Sequence, residues 1–297
     1  MTDAPVILTH GLTKSFGDAQ AVRGLNLSVG ANRITAFLGQ NGAGKSTTIK
    51  MLLGMVRPSC GEGTVLGKRI TDAEENREMR RKVAYVAEDK PLYSYMTVEQ
   101  TVRFASSFYP DWREAVAGRL LNEYKLPSQR KVKKLSKGMR TKLALLLAFA
   151  RRPELLILDE PSEGLDPVGI EHLLQMLVAQ AADGVTIFFS SHQIAEVERV
   201  ADHICILDSG RLLLNASLDQ LRQSYRRIDL VFASAAPDNE FRIAGVEKIQ
   251  AKGHQMVLFA KSNAEAVVER ARDLNAVSVE VAPVGLREIF LETVKEN

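Results

Sequence analysis

The feature that most constrains this chain is a glycine-rich stretch at Gly39–Thr48. Residues 39–46 fit the pattern G-x-x-x-x-G-K-[ST], in which a loop turns back and points consecutive backbone N–H groups at phosphate oxygens. The two fixed glycines matter because a Cβ there would block close approach or exclude positive φ angles. In this pattern Lys45 reaches the β and γ phosphates of a nucleotide, and the Ser46 hydroxyl provides a ligand for Mg²⁺. The stretch therefore predicts an ATP or GTP site.

The sequence on both sides of this loop has the character that the pattern requires. Ile34–Leu38 is an apolar run typical of a buried strand, and Ser46–Met51 is predicted to open a helix. The N-terminus of such a helix favours an anion, because its free N–H groups and the helix dipole both present positive charge there. A chance glycine-rich turn is the alternative, and the strand before the loop and the helix after it disfavour that interpretation.

Length and composition bound the rest of the molecule. A chain of 297 residues is predicted to form two domains. The net charge of +3 is too slight to imply general nucleic-acid binding. Its two cysteines, Cys60 and Cys205, indicate free thiols in a reducing compartment rather than a disulfide framework. The first residues lack a secretory pattern, and the longest apolar run, Leu143–Ala150, is too short to span a membrane, so we expect a cytoplasmic protein.

Two further predicted strands end in polar side chains. The run Leu155–Leu158 leads into Asp159 and Glu160, and the run Val185–Phe189 leads into a segment that ends at His192. In an open α/β sheet, ligands bind at the carboxyl ends of strands, so these groups are expected beside the phosphate loop. Asp159 suits Mg²⁺, and Glu160 suits a base for an attacking water. A solvated acidic turn and a structural histidine are the alternatives.

Several other segments have more than one interpretation. Phe16 lies between predicted strands, where an exposed ring could stack on a purine base, although its residue type alone favours the core. The segment Leu135–Arg140 opens a long apolar helix, and its small and polar residues could simply cap that helix. Thr97 and Gln100 form a capping-box pattern that predicts another helix start. Around that helix the chain gathers aromatic residues, some expected in the core and some in a protein contact: Tyr93, Tyr95, Phe104, Phe108, Tyr109, Trp112 and Tyr124.

Taken in order, these motifs resemble the nucleotide-binding subunit of an ATP-binding cassette (ABC) transporter, over about residues 6–215. The phosphate loop, Gly39–Ser46, corresponds to the family's Walker A motif, and Leu155–Glu160 corresponds to Walker B. Leu135–Met139 corresponds to the signature that separates this family from other P-loop ATPases. The remaining matches are Phe16 at the adenine-stacking position, Glu88 at the Q-loop, residues 164–166 at the D-loop and His192 at the switch.

The resemblance implies a fold, a reaction and partners. The fold is an α/β P-loop NTPase at residues 1–215, with a RecA-like core sheet, an antiparallel β subdomain and a helical signature subdomain. The reaction is ATP hydrolysis that energises a separate integral membrane permease. One ATP would lie between two ATPase subunits, in a homodimer or a heterodimer. The expected location is cytoplasmic and peripheral, on the inner face of the cell membrane.

The resemblance also carries roles to individual residues. Glu160 is expected to polarise the attacking water, and His192 is expected to stabilise the transition state and contact the partner subunit. The expected Mg²⁺ ligands are Ser46, Glu88 and Asp159. The expected ATP contacts are Phe16, Gly39, Gln40, Asn41, Gly42, Ala43, Gly44, Lys45, Ser46, Thr47, Ser136 and Gly138.

Two motifs depart from the family pattern. The signature is Leu-Ser-Lys-Gly-Met rather than LSGGQ, so Lys137 and Met139 replace a glycine and a glutamine. Ser136 and Gly138, which are expected to meet the γ-phosphate, remain. Glu88 replaces the usual Q-loop glutamine, which keeps a metal-facing oxygen but adds negative charge. Both substitutions are similar to those of the exporter branch that works with ABC-2-type permeases.

The composition changes after residue 215, and residues 216–297 are predicted to form a small α+β domain. Its strand-like runs are Ile228–Phe232, Met256–Ala260 and Val277–Val281. The sequence of this domain shows no metal-ligand cluster and no catalytic constellation. Two apolar stripes predict helices, one formed by Ala264, Val267, Val268, Ala271 and Leu274 and the other by Leu286, Ile289, Phe290 and Val294.

Two other functions compete with transport. An ATPase that acts on ribosomes or DNA would usually carry two cassettes or a long coiled-coil insertion, and this sequence has neither. A regulatory protein without ATPase activity is disfavoured by the intact Lys45, Asp159, Glu160 and His192. One basic cluster favours nucleic acid, but it flanks the signature, where positive charge also suits phosphate, and we expect no nucleic-acid partner. The cluster consists of Arg130, Lys131, Lys133, Lys134, Lys137, Arg140 and Lys142.

Overall fold

The computed structural model describes residues 4–295, so the outer limits of the two predicted domains, at residues 1 and 297, lie outside the described residues. The chain divides into two compact units, Met1–Asn215 and Ala216–Asn297. Each unit has its own sheet structure and its own hydrophobic core. Within residues 4–295, no helix combines the length and the apolar content needed to cross a membrane.

Strands and helices alternate along most of the first unit. The strands are β1 (Ile7–Phe16), β2 (Ala19–Leu25), β3 (Ser28–Val29), β4 (Ile34–Leu38), β5 (Cys60–Val65), β6 (Lys68–Arg69), β7 (Val83–Val86), β8 (Leu155–Asp159), β9 (Thr186–Ser191), β10 (His203–Asp208) and β11 (Arg211–Ser217). The helices are α1 (Lys45–Leu52), α2 (Ala73–Lys82), α3 (Val98–Ser106), α4 (Glu114–Glu123), α5 (Lys137–Phe149), α6 (Pro167–Ala182) and α7 (Ile194–Val200), with a 3₁₀ turn at Val132–Lys134.

A six-stranded sheet forms the centre of this unit, in the order β11-β10-β4-β9-β8-β7. Strands β10, β4, β9, β8 and β7 run parallel to one another. Every residue of β4, β8 and β9 is buried, which explains why these strands occur as continuous apolar runs in the sequence. The expected RecA-like core sheet is confirmed. Because the strands are parallel, the residues that follow β4, β7, β8 and β9 emerge at one edge of the sheet.

Two smaller layers complete the first unit. An antiparallel sheet has the order β2-β1-β5-β6, and β3 also pairs with β1. Helices α3 and α4 pack on α5. Helix α3 begins at the predicted capping box, where the Gln100 amide donates to Thr97 Oγ1 at 3.1 Å and the Thr97 amide donates to Gln100 Oε1 at 2.9 Å. Both the antiparallel β subdomain and the helical signature subdomain are therefore confirmed.

The second unit is built on a four-stranded antiparallel sheet in the order β13-β14-β12-β15. The sheet buries Ile228, Leu230, Met256 and Leu258 against Val267 of a helix. The two predicted helices and the three predicted strands are present. Strand β13 is not predictable from the sequence, because only three of its residues are apolar. The elements are α8 (Leu218–Ser224), β12 (Arg226–Val231), a 3₁₀ turn (Asp238–Phe241), β13 (Val246–Lys252), β14 (Gln255–Ala260), α9 (Ala264–Asp273), β15 (Ser278–Pro283) and α10 (Leu286–Lys295).

Both cysteines carry free thiols, as the composition predicts. Cys205 is buried in β10, and this burial raises the pKa of its thiol to about 12. Cys60 is exposed at the start of β5. Neither thiol belongs to the site described next.

Candidate active site

The phosphate loop leaves the carboxyl end of β4 and leads directly into α1. Its last glycine, Gly44, is the N-cap of α1 with a φ of +105°, and it offers no side-chain oxygen to the first-turn N–H groups. A Cβ on Gly44 would lie 2.4 Å from the Ala21 carbonyl oxygen, and one on Gly39 would lie 2.5 Å from that of Leu207. Both positions therefore require glycine. The first-turn N–H groups of a helix have no partner within the helix, so here they are available to an anion.

The other loop residues surround this helix start. Ala43 and Gly39 are buried, Ser46 and Thr47 are half-buried, and three residues at the tip are exposed. The exposed tip, which lies outermost on the loop, consists of Gln40, Asn41 and Gly42.

Lys45 is held inside the loop rather than extended into solvent. Its side chain is 6% exposed, and its Nζ donates to the carbonyl oxygens of Gly39 at 2.7 Å and Gln40 at 3.2 Å. The same Nζ lies 3.1 Å from Glu160 Oε1. Glu160 Oε1 accepts no hydrogen bond, so this contact is an ion pair without hydrogen-bond alignment. Lys45 thus connects the phosphate loop to the acidic end of β8.

Glu160 joins the loop to the end of β9. The Glu160 side chain is 7% exposed, and its Oε2 lies 2.9 Å from His192 Nδ1. His192 is exposed on its other side. A buried carboxylate between a cation and an imidazole is placed to accept a proton from water, since nearby groups fix its orientation. The structure therefore brings Lys45, Glu160 and His192 into one contact group.

Ser190 connects the two acids at the end of β8. Its Oγ donates to Asp159 Oδ1 at 2.6 Å and accepts from the Glu160 backbone N–H at 3.0 Å. Asp159 is 1% exposed and Ser190 is fully buried. The sequence predicts that the polar end of β9 approaches these acids, but it gives no indication that this hydroxyl bridges them.

A polar cleft lies beside the two acids, where the residues after β7 pass the end of β8. Glu88 and Asp159 both line this cleft, together with Lys90 and Glu163. Lys90 is buried, and its Nζ donates to the Glu160 carbonyl oxygen at 3.3 Å. Desolvation by this burial lowers the pKa of the Lys90 ammonium. The sequence gives no indication of this contact, because a lysine after a strand is usually solvated.

The predicted Mg²⁺ ligands fit that ion chemically. Ser46, Glu88 and Asp159 offer only oxygen atoms, which Mg²⁺ prefers, and two of them share the polar cleft. In the described part of the chain, no group of three or more His, Cys, Asp or Glu side chains could hold a metal ion alone. A site completed by substrate phosphates is the usual arrangement for Mg²⁺.

The signature lies at the start of α5, where it contacts the D-loop of the same subunit. Ser136 caps the helix by accepting the Met139 amide at 3.2 Å. A Cβ on Gly138 would lie 2.6 Å from the Gly164 carbonyl oxygen. Lys137 forms an ion pair with Glu163, and this hydrogen bond lowers the pKa of the Glu163 carboxyl. Within one subunit, the helix cap explains Ser136 and the close contact with the D-loop explains Gly138. Neither residue is buried, so both remain on the surface at the start of α5.

Phe16 ends β1 and is exposed over 54% of its surface. This position overturns the expectation from residue type alone, which favoured the core. The ammonium of Lys14 lies over the ring, 4.9 Å from its centre.

Four aromatic side chains form one exposed group, which we name the aromatic patch: Tyr93, Tyr95, Phe104 and Phe108. The Tyr93 ring centre lies 5.8 Å from that of Tyr95 and 5.5 Å from that of Phe104, and the Phe104 and Phe108 centres are 5.0 Å apart. Tyr124, by contrast, is buried in the core. The expected core part of this cluster is confirmed by Tyr124, and the expected protein contact remains a prediction for the exposed residues.

Known proteins are similar to this chain. The family model described as "ABC transporter" matches residues 22–163. The Bacillus subtilis protein YhaQ, an uncharacterized ABC transporter ATP-binding protein, is 34% identical over 86% of this chain and 83% of its own length. The bacitracin transport ATP-binding protein BcrA of Bacillus licheniformis is 34% identical over 75% of this chain and 73% of its own length. A solved structure described as the ATP-binding subunit of an ABC transporter superposes with a TM-score of 0.67 and 34% identity, over 73% of this chain and 92% of that one.

Proposed function

We propose, since this chain belongs to the family of ABC transporter ATP-binding proteins, that it hydrolyses ATP between two subunits to drive an ABC-2-type exporter. The observation that carries the assignment of roles is the contact group of Lys45, Glu160 and His192. It joins three separate strand ends at the phosphate loop.

ATP binding is assigned to the loop and to Phe16. The free N–H groups at the start of α1 would receive the β-phosphate, and Lys45 would exchange the Gly39 and Gln40 carbonyl oxygens for the β and γ phosphates. The exposed ring of Phe16 would stack on adenine. This movement of Lys45 would also release Glu160 Oε1, so binding of the substrate frees the base.

Hydrolysis is assigned to Glu160, with His192 as its neighbour. The freed carboxylate would accept a proton from the water that attacks the γ-phosphorus, and His192 would stabilise the charge that develops. Ser46, Asp159 and Glu88 would hold Mg²⁺, which neutralises charge on the β and γ phosphates when it is bound. The hydrogen bond from Ser190 orients Asp159 for that role.

The second half of the ATP site is assigned to another subunit. Ser136 is exposed at the start of α5, and the first turn of this helix contains no acidic residue. Such a helix start favours an anion. We infer that Ser136 and Gly138 approach the γ-phosphate bound by a partner subunit. Whether the partner is a second copy or a related chain would determine whether both sites are equal.

The permease contact is assigned to the aromatic patch. Tyr95 and Phe108 are exposed over 64% and 62% of their surfaces, and exposed aromatic groups of this kind are typical of protein interfaces. The patch follows the Q-loop in sequence, so a partner bound there would be close to the cleft that contains Glu88. Binding to a permease would place the protein on the inner face of the membrane. The transport role of the similar protein BcrA supports this assignment.

A nucleotide-binding and turnover assay tests the core assignment. Lys45→Ala is expected to lose ATP binding and hydrolysis, because it removes the cation that faces the phosphates. Lys50→Ala, which changes an exposed lysine on the same helix, serves as the matched control. ATP hydrolysis by Lys45→Ala at the rate of the unchanged protein would reject the site.

A second assay tests the permease contact. The double variant Tyr95→Ser/Phe108→Ser is expected to hydrolyse ATP in solution but to lose co-purification with an integral membrane protein. Val178→Ser removes an apolar side chain that is exposed on α6 and is the control. Unchanged co-purification of the double variant would place the permease contact elsewhere.

A further inference from the structure

Lys90 is a buried cation without a function in the scheme above. Among the residues that the structure describes, Lys45 and Lys90 are the buried lysines, and each is 6% exposed. Lysine is almost never buried unless it is paired, because desolvating an ammonium group is costly. The burial of Lys45 is explained by its contacts with the phosphate loop and Glu160. The position of Lys90 therefore requires its own explanation.

The partner of Lys90 is the backbone of the proposed base. Its Nζ donates to the Glu160 carbonyl oxygen at 3.3 Å, and the Glu163 amide donates to the same oxygen at 3.2 Å. On the other side of the residue, the Glu160 amide donates to Ser190 Oγ at 3.0 Å. Side chains from two other segments thus hold both backbone polar groups of Glu160.

The backbone held in this way is strained. Glu160 has a φ of +47°, in the left-handed region, which is unfavourable for a residue with a side chain. Pro161 follows it, and a residue before proline normally adopts an extended conformation. Lys90 itself has a φ of +45°. Strained residues persist where their surroundings hold them, and they concentrate at functional sites.

We propose that Lys90 is a positioning residue for Glu160: its hydrogen bond to the Glu160 carbonyl oxygen keeps the strained backbone in the conformation that directs the carboxylate toward Lys45 and His192. This inference rests on the assignment of Glu160 as the base. If the φ of Glu160 left the left-handed region, its Cα–Cβ bond would rotate about N–Cα relative to β8, and the carboxylate would leave the position of its two contacts. A small displacement of a base costs rate rather than substrate affinity.

The location of Lys90 gives this contact a second consequence. Lys90 lies two residues after Glu88, so the Q-loop and the end of Walker B are connected through one side chain. The charged groups that face Lys90 are Glu163, which precedes the D-loop, Lys137 of the signature, Glu88 of the Q-loop and Asp159 at the end of β8. A displacement of the Q-loop would therefore move the support of the base directly.

The test compares turnover with nucleotide affinity in Lys90→Met, which keeps an unbranched apolar side chain of nearly the same length and removes the donor. We expect kcat to fall by about tenfold or more, while the Kd for a fluorescent ATP analogue stays within about twofold. Lys90→Arg restores a donor and is expected to recover a large part of kcat. Lys125→Met makes the same change at an exposed lysine outside this cleft, whose φ of +50° is also positive, and is expected to keep the original kcat.

Hydrogen exchange gives a readout besides activity. In Lys90→Met, the Glu160 carbonyl oxygen loses one of its two donors, so the turn from Glu160 to Glu163 is less restrained. The backbone amides of Glu160 and Glu163 are therefore expected to exchange faster. Thermal unfolding of each variant shows that the rest of the fold is intact.

Three results would overturn the inference. They are an unchanged kcat in Lys90→Met, a Kd that rises as much as kcat falls, and equal losses in Lys90→Met and Lys90→Arg with unchanged exchange at Glu160. Glu160→Gln in parallel separates this inference from the proposed function. If Glu160→Gln still hydrolyses ATP, the base assignment fails, whereas normal turnover in Lys90→Met alone rejects only the role of Lys90.

Discussion

The two units of this protein bury different kinds of side chains. The first unit buries Lys45, Lys90, Asp159 and Glu160, all within or beside one site. Among the described side chains of residues 216–295, no polar or charged residue is buried to the same degree. The core of that unit consists of residues such as Ile228, Leu258 and Val267 with their apolar neighbours.

This difference indicates where the chemistry lies. Burying an ion costs several kcal/mol unless a partner compensates it, so a fold gains little stability from a buried charge. The first unit nevertheless buries Lys45 against Glu160, at the point where a phosphate is expected. The second unit follows the pattern that stability alone favours. Substitutions at the buried charges of the first unit should therefore change turnover, whereas loss of the second unit should leave turnover nearly unchanged.

The largest effect is expected for Glu160→Gln. Glutamine keeps the shape of the side chain but cannot accept a proton, so we expect ATP binding to persist and hydrolysis to fall by about 100-fold or more. An ATP-bound dimer should accumulate, since the partner sites stay closed on unhydrolysed ATP. Rapid-mixing turnover and size-exclusion chromatography with ATP measure the two effects.

The control for Glu160→Gln lies just before the same strand. Glu154→Gln changes an exposed carboxylate immediately before β8, where it forms a surface ion pair with Lys82. It is expected to retain normal turnover. If Glu160→Gln hydrolysed ATP at nearly the rate of Glu154→Gln, the buried acid would have no chemical role. The contrast between the two units would then fail.

The next effect concerns the signature. Ser136→Arg places a large side chain at the exposed start of α5, and we expect it to lower turnover by about tenfold to 100-fold while each subunit still binds ATP through Lys45. Mixing it with Lys45→Ala protein gives dimers in which one site carries both substitutions and the other carries neither. The mixture should therefore hydrolyse ATP faster than either protein alone. A mixture without recovery would argue for a site contained within one subunit.

A smaller effect is expected where the signature helix meets the D-loop. In Gly138→Ala the added Cβ would lie 2.6 Å from the Gly164 carbonyl oxygen, so we expect a loss of about 1–3 kcal/mol in unfolding free energy and lower turnover. Gly118→Ala, on α4, adds a Cβ with no atom within 4 Å and is expected to stabilise the protein by up to about 1 kcal/mol. Chemical denaturation of both variants gives the comparison. Equal stability changes would show that Gly138 has no special steric role.

The two units were also predictable to different degrees. The phosphate loop, the buried parallel strands and the acids after β8 carry strong local patterns, because the spacing of residues along the chain determines them directly. Lys90 and Ser190 carry no such pattern, because their contacts with Glu160 depend on strands that are far apart in sequence. In the second unit β13 escaped prediction because its few apolar residues do not alternate clearly. Long-range contacts, rather than local composition, are what the sequence does not reveal.

The smallest effect on catalysis is expected when the second unit is removed. A chain that ends at Asn215 keeps every residue assigned to ATP binding and hydrolysis, and the first unit is compact by itself, so we expect it to fold and to bind ATP. We propose that residues 216–297 contribute a dimer contact, which holds two subunits together after hydrolysis and raises their effective concentration for the next closure. The shortened chain should then dimerise more weakly, and its ATPase activity per subunit should depend more steeply on protein concentration, while kcat at high concentration stays within about twofold. Sedimentation of both chains without nucleotide measures the dimer constant. If the two constants are identical, the second unit has no part in dimerisation, and if kcat itself falls, the contrast drawn from the buried charges is wrong.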